Sequence, residues 1–538
     1  MRRVAGTGLV IIAALLATWF AGRMLSVRNG AYISVVPPTL TQLGPYDAGM
    51  NLRAAFESLP PAGGERTGLR LILENPHAWV ARWRMLAEAR ESIDISYFIL
   101  REDLFGAAFL GHLLQKARDG VALRLLFDAQ GTVMSFTSPR GNDWLDTLAN
   151  TRNVSLKMFR PLLNRYVEAL VNANPVAAVA SEHDKILVCD RRIGMIGGRN
   201  ISAEYFAHPS DLPDAFEDAD VILEGTGVAR GLIAAFDAQY LSDGARQVTR
   251  ERLDLASYEE ELLLAYHAMD AWLKGAAIEA QTVQRIETLR LSWLKDLEKY
   301  PRLRGALARP YRPDVRAETR LLDSQTRLEP RADLIAQGFL RLAQSARHRI
   351  LIQSPYLVLS DEAVQVLTTL GERGVKIDIL TNSPISSDNA MSQAFFLEQW
   401  PELLARVPGL RIFVSGQQRT VHTKLVVFDE HVTLIGTYNL DPVSMAVNSE
   451  IMAAVWSRTF VRRAAAYPRA LLARGAPLVY EYRIERDADG RPVRDAKQKP
   501  IVAFGPKDHA PPDEWRKIQV YWALLRAADK FPGFSPIF

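Results

Sequence analysis

The feature that most constrains this chain is a pattern that occurs twice. Residues 183–200 read HDKILVCDRRIGMIGGRN, and residues 422–439 read HTKLVVFDEHVTLIGTYN. Both satisfy H-x-K-x4-D-x6-G-x2-N without an insertion. His183, Lys185, Asp190, Gly197 and Asn200 thus stand in register with His422, Lys424, Asp429, Gly436 and Asn439. One copy alone reads as two ordinary strands with incidental polar residues. Five fixed positions met twice imply an internal duplication. Between Lys and Gly each copy is apolar around a charged pair, the pattern of two strands about a turn.

The segments ahead of each copy repeat as well. A helical stretch beginning near His77 leads into the strand SIDISYFIL, then helical GAAFLGHLLQKARDG and the strand VALRLLFD. Later, DLIAQGFLRLAQSARHRILIQSPYLVL, DEAVQVLTTLGERG and VKIDILTN give the same order. Gly120-Val121 and Gly374-Val375 mark the same helix-to-strand turn. Strands alternating with helices of this length predict βαβ units and a largely parallel sheet.

His and Lys two apart on a strand project to one side, so imidazole and ammonium converge on one ligand. The ammonium disfavours a further cation there, which suits a neutral nucleophilic His and an anionic substrate. The Asn amide after the glycine turn adds a neutral donor. Two such sets about a pseudo-twofold axis would cradle a phosphodiester, one His attacking phosphorus and the other protonating the leaving oxygen. A metal centre fits less well, because no HExxH-like spacing is present and the lysines repel a cation.

These residues resemble the two-motif members of the phospholipase D superfamily, and the stretches HDKILVCDRRIGMIGGRNISAEYF and HTKLVVFDEHVTLIGTYNLDPVSMAVNSE are similar to those of bacterial cardiolipin synthases. The resemblance spans about residues 75–465. It implies an α/β fold of two duplicated phospholipase D-like α-β-α halves sharing one pseudo-twofold active site. It also implies a phosphohistidine intermediate resolved by an acceptor alcohol, without metal or other cofactor. His183, Lys185, Asp190, His422, Lys424 and Asp429 are the motif residues it carries over, with Asn200 and Asn439 in support. The position of Asp190 and Asp429 after an apolar strand suits a turn-stabilising role better than direct chemistry. An acidic residue downstream is expected to orient each histidine. Glu450 stands 28 residues after His422 at the usual spacing, whereas position 211 lies in a PSDLP loop, so Asp218 is expected to serve His183, with Asp220 as the alternate. The small hydroxyl residue usual after the motif glycine is Gly198 in one copy and Thr437 in the other, which leaves only a backbone N–H at Gly198.

Tyr97, Ser354 and Tyr356 end matching strands and are candidates to line the pocket. Cys189, the only cysteine, lies inside a motif strand and reads as a small buried hydrophobe; one thiol excludes an internal disulfide framework. Within the Pro-free stretch 214–300, Ala245–Tyr300 is charged and leucine-rich, a helical pattern. It is read as a cover on the sheet, with a membrane-facing surface around Trp272 and Trp293 as the alternative.

The chain divides on this reading into a membrane anchor or signal segment (1–29), a first half (30–240), a helical linker (241–320), a second half (321–465) and a C-terminal extension (466–538) that completes the domain. Val4–Gly22 is uncharged and follows Arg2 and Arg3. As a helix it would reach roughly 28 Å, enough to cross a bilayer core. Trp19 and Phe20 stand where a signal-peptidase site wants small residues, so an uncleaved transmembrane anchor with the remainder extracytoplasmic, or periplasmic, is expected. A net charge of +4 over 538 residues gives no broad basic surface, so nucleic acid is not the favoured partner. The expected partners are the membrane and phospholipids: phosphatidylglycerol and a second lipid or alcohol acceptor. A phospholipase D hydrolase or nuclease with the same site is the alternative. A silent binding scaffold is disfavoured, since both copies keep His, Lys and Asn.

Overall fold

The computed structural model describes residues 49–61, 66–133, 139–172, 174, 176–248, 258–328 and 334–528, so the expected anchor at Val4–Gly22 lies outside the described residues. Among those residues no helix is long and apolar enough to cross a membrane.

Each half builds a sheet of eight strands in the same order. The first contains β1 (Thr67–Ile72), β2 (Ser92–Tyr97), β3 (Ala122–Asp128), β4 (Val154–Phe159), β5 (Ile186–Cys189), β6 (Ile193–Gly197), β7 (Asp220–Glu224) and β8 (Ala245–Gln247). They pair as β8-β4-β3-β2-β5-β6-β7-β1. The second contains β9 (Val315–Ser324), β10 (Arg349–Gln353), β11 (Lys376–Thr381), β12 (Leu410–Ser415), β13 (Leu425–Phe428), β14 (Val432–Gly436), β15 (Glu450–Trp456) and β16 (Val479–Ile484). Their order, β16-β12-β11-β10-β13-β14-β15-β9, repeats the first strand for strand. The N-terminal end of β9 also pairs with β1, which ties the halves together.

The expected largely parallel sheet is corrected to a mixed one. Only β2-β3-β4 and β10-β11-β12, linked through helical crossovers, run parallel. The motif segments are tight hairpins, and a hairpin forces antiparallel pairing. Both faces of the motif strands are buried, which is why they read as continuous apolar runs. In β5, Leu187 and Cys189 point to the outer core of the first half, while Ile186 and Val188 point to a central core. In β13, Val426 and Phe428 face the outer core of the second half, and Leu425 and Val427 the central one. The central core draws strands from both halves together with helices Thr226–Tyr240 and Arg458–Arg474. Cys189 is buried as expected, its thiol pushed up by that burial and by Asp190.

The linker is a cover, laid on helices of the first half rather than directly on the sheet. Helix Glu259–Lys274 lies so close on helix Leu104–Arg118 that a Cβ on Gly111 would meet the Leu262 carbonyl at 1.9 Å. Trp272 donates to the Tyr300 carbonyl at 3.1 Å, and Trp293 packs on Trp144 at 5.9 Å between ring centroids. Both tryptophans, partly buried, thus pack within this cover. The duplicated unit starts before residue 321 and runs past 465, because β9 and β16 are the counterparts of β1 and β8.

Candidate active site

Each motif is a hairpin with its His and Lys at one end and its Asp at the other. At the turns, Asp190 and Asp429 take positive φ values of 52° and 45°. The Asp190 carboxylate accepts backbone N–H bonds from Arg90, Glu91 and Ser92 at 2.8–3.1 Å. Asp429 does the same for Arg347, His348 and Arg349 at 2.6–2.8 Å. The carboxylates thus fasten the start of the neighbouring strand, roughly 20 Å of extended chain from the histidines. Their place among the catalytic residues is corrected to a structural one, as their position after the strand suggested.

At the other end the halves interlock. Glu182 bridges Ser449, and Val421 bridges Glu217. His183 donates its backbone N–H to Ser449 Oγ at 3.0 Å, and His422 its own to the Glu217 carbonyl at 2.7 Å. Each motif therefore begins beside the residue that precedes the other half's acid. The acids cross over as a result: His183 Nδ1 lies 2.8 Å from Glu450 Oε1, and His422 Nδ1 lies 2.7 Å from Asp218 Oδ2. The expected pairing, Glu450 with His422 and Asp218 with His183, is reversed. Spacing finds the acids and misassigns them, because sequence proximity reports which half an acid belongs to and the interlock decides which ring it meets. Asp220, the alternate, is engaged elsewhere in a fully buried pair of ion bridges with Arg82 and Arg199 at 2.8 and 2.9 Å.

Electrostatics separate the two histidines. Burial, with Lys185, Lys424 and His422 adding to it, holds His183 well below the ordinary histidine range. Burial raises its partner Glu450 to about 8, against the pull of Lys185. His422 is also lowered, by burial and Lys424, but Asp218 opposes the shift. Burial would raise Asp218, yet His422 and Lys424 outweigh it and keep the carboxyl below its usual value. The lysines anchor on their own histidines' carbonyls, Lys185 at 2.6 Å and Lys424 at 2.5 Å, and Lys424 also stands 3.1 Å from His422 Nε2. Desolvation lowers Lys185 and brings Lys424 to about 8.

Gly198 and Thr437 act on the acids. A Cβ at Gly198 would fall 2.3 Å from Asp218 Oδ1, so the glycine leaves the space the carboxylate fills. The Thr437 hydroxyl donates to Glu450 Oε2. Asn200 is used within the fold, accepting from the Ile99 N–H and donating to the Tyr205 hydroxyl, both at 3.0 Å. Asn439 is buried, and its Oδ1 takes no hydrogen bond from the described residues. Of the strand-end residues, Tyr97 turns into the core, where Arg82 Nε donates to its hydroxyl at 3.0 Å. Ser354 closes a local turn on Tyr356, whose hydroxyl bonds Asp388 at 3.1 Å. Tyr97 and Ser354 are thus both buried and hydrogen-bonded within the fold. The rings that do meet the histidines are Phe98, 5.0 Å from His183, and Tyr205 and Phe216, 5.3 and 5.5 Å from His422. Phe98 directly follows Tyr97 in the strand-end run, and alternation of side chains places it on the other face.

The comparisons agree with this architecture. A family model described as "Cardiolipin synthase, PLD-like domain" matches residues 83–239 and 339–471, more than half of the chain. The chain belongs to that family and is an enzyme of the phospholipase D superfamily. It is 26% identical over 425 residues to cardiolipin synthase C of Escherichia coli K12, covering 73% of this chain and 82% of that one. Against cardiolipin synthase 1 of Bacillus cereus it is 24% identical over 397 residues, covering 73% and 64%. The crystal structure of phosphatidylserine synthase from Haemophilus influenzae shares the fold at a TM-score of 0.55 and 13% identity, over 89% of this chain and 97% of that one.

Proposed function

We propose that the chain transfers a phosphatidyl group from one phospholipid to an alcohol on a second, as a cardiolipin synthase does, through a covalent intermediate on His183. The observation that carries this reading is the crossed pair of His–carboxylate bonds, which makes one site from two halves. His183, uncharged at neutral pH, attacks phosphorus through Nε2, and the bond from phosphorus to the leaving oxygen breaks. That oxygen takes a proton from His422, which the ionised Asp218 equips to carry one. The acceptor alcohol then gives its proton to His422 and attacks phosphorus, and the N–P bond breaks. Lys185, Lys424 and Asn439 face the phosphate oxygens and offset their charge. The acceptor is the headgroup glycerol of phosphatidylglycerol, and Val4–Gly22 holds the site at the membrane on its extracytoplasmic side.

Lipid mass spectrometry of cells lacking such synthases tests the reading: cardiolipin appears when the chain is expressed and does not with His183→Ala. Release of phosphatidic acid with acceptor lipid present would make the enzyme a hydrolase. A radiolabelled donor should leave label on the peptide holding His183, with turnover unaffected by EDTA.

A further inference from the structure

The two halves part company at one place beside the site. In the second half β12 ends at Ser415 and His422 follows seven residues later, whereas in the first β4 ends at Phe159 and His183 follows after 24. The added chain forms helix Leu162–Val171 and the short helix Val176–Val179. Arg165, fully buried, fixes the longer helix to the motif. Its guanidinium donates to Ser181 Oγ at 3.1 Å and to Asp128 Oδ2 at 3.2 Å, and Asp128 accepts the Glu182 N–H at 3.0 Å, one residue before His183.

That helix shows three arcs. Arg165 and Ala169 face inward, and Asn164, Glu168 and Asn172 form a polar side. The remaining arc is apolar and exposed: Leu163 at 75%, Val167 at 48%, Leu170 at 38% and Val171 at 76%. The spacing i, i+4, i+7, i+8 gathers these four within about 100° of the helix. They account for four of the ten large apolar side chains left exposed among the described residues. A patch of this kind marks a surface that something covers.

We propose that helix Leu162–Val171 is an interfacial element that lies in the headgroup layer of a phospholipid bilayer and seats the mouth of the active site on the lipid surface. The inference rests on the proposed function, because a two-chain phospholipid must enter beside His183. Two observations select lipid as the occupant. The exposed arc carries no charge and no hydrogen-bonding side chain that would fix a protein partner in register, and such an arc suits the headgroup–acyl boundary. It also adjoins the motif through Arg165, while the uncharged run Val4–Gly22 of the same chain supplies a second hold on the same membrane.

The test uses the full chain reconstituted in vesicles of phosphatidylglycerol and phosphatidylethanolamine, carrying a fluorophore on Val171→Cys or, as control, on the exposed Val520→Cys. Lipid-borne nitroxide should quench the label at 171 and leave the one at 520 bright. Leu163→Ser/Val167→Ser/Val171→Ser should lose about tenfold in turnover of vesicle phosphatidylglycerol, while keeping wild-type hydrolysis of soluble bis(4-nitrophenyl) phosphate. Equal quenching at both labels, or equal loss on both substrates, would overturn the proposal. So would a label at 171 whose shielding in detergent depends on protein concentration, the mark of a second copy. A wild-type enzyme inert toward every phosphodiester would sink the proposed function instead, leaving the quenching to judge the helix.

Discussion

The two motif hairpins share a backbone and differ in the charges around it. Before and within the first stand Glu182 and Asp184, where the second has Val421 and Thr423. Both acids are buried. Burial pushes Glu182 up to about 8, with Asp128 and Glu450 adding to it, and Asp184 well above the carboxylate range, with Glu182 adding to it. Ser96 donates to Glu182, whereas the matching position in the second half is Gln353, whose amide donates to Glu217. The carboxyl behind His183 is raised, while the one behind His422 is lowered. A duplicated frame has thus been given one histidine whose partner holds its proton and another whose partner gives its proton up. Symmetric geometry with asymmetric carboxylates is what a nucleophile and an acid, working on one phosphorus, require.

The largest effect expected of breaking this pair is the loss of either ring. His183→Ala and His422→Ala should each cut turnover by about 10³-fold or more. Full activity with one half inactivated would refute the shared site. The acids come next: Asp218→Asn should cost about 10²-fold by leaving the proton donor without its ionised partner, and Glu450→Gln less, since Glu450 is already drawn toward its protonated form. Steady-state kinetics on purified variants reads the order, and the reverse order would exchange the roles of the histidines.

Sharper but smaller is the pH profile. Since His183 is lowered well below 6.5, its neutral form persists down through that pH and the acid limb should begin beneath it. The proton donor His422 is lowered from 6.5 as well, so the basic limb should begin below that pH, with a further loss above about 8 as Lys424 loses its proton. An acid limb centred at the ordinary histidine value would contradict the depression of His183. Asp190→Ala and Asp429→Ala should act on stability instead. Each removes three backbone partners and costs about 2 kcal/mol, lowering Tm while leaving the rate per folded molecule intact. Smallest is the linkage effect of Glu182. Glu182 has its folded pKa raised from 4.5 to about 8, so its favourable contribution is complete below about 4.5 and is lost as pH rises through 8. Glu182→Gln should flatten the fall in Tm across that window, and an unchanged slope would remove Glu182 from the account.

Much of this was readable from the chain. The doubled motif announced the duplication and the residues that converge, because His and Lys two apart on a strand admit little other geometry. The partners of the histidines were harder. Asp218 lies 18 residues beyond Asn200, but Glu450 only 11 beyond Asn439, so a fixed spacing fails in one half. The crossing itself has no local signature, since it arises from the Glu182–Ser449 and Glu217–Val421 bridges between distant segments. Asp190 and Asp429 travel with the motif because the hairpin needs them, and only the bonds to residues 90–92 and 347–349 tell that need from chemistry. Phe98, Tyr205 and Phe216 were missed because aromatic residues near a strand end or short helix look like core. Tyr97, their neighbour in sequence, is core.

The central claim is that each half supplies the acid for the other half's histidine. Ring ¹⁵N spectra of the histidines, assigned with His183→Asn and His422→Asn, test it directly. Glu450→Gln should move the Nδ1 resonance of His183 and leave that of His422 in place, and Asp218→Asn should do the opposite. If Glu450→Gln moved His422 and spared His183, each half would serve itself and the crossed site would be wrong.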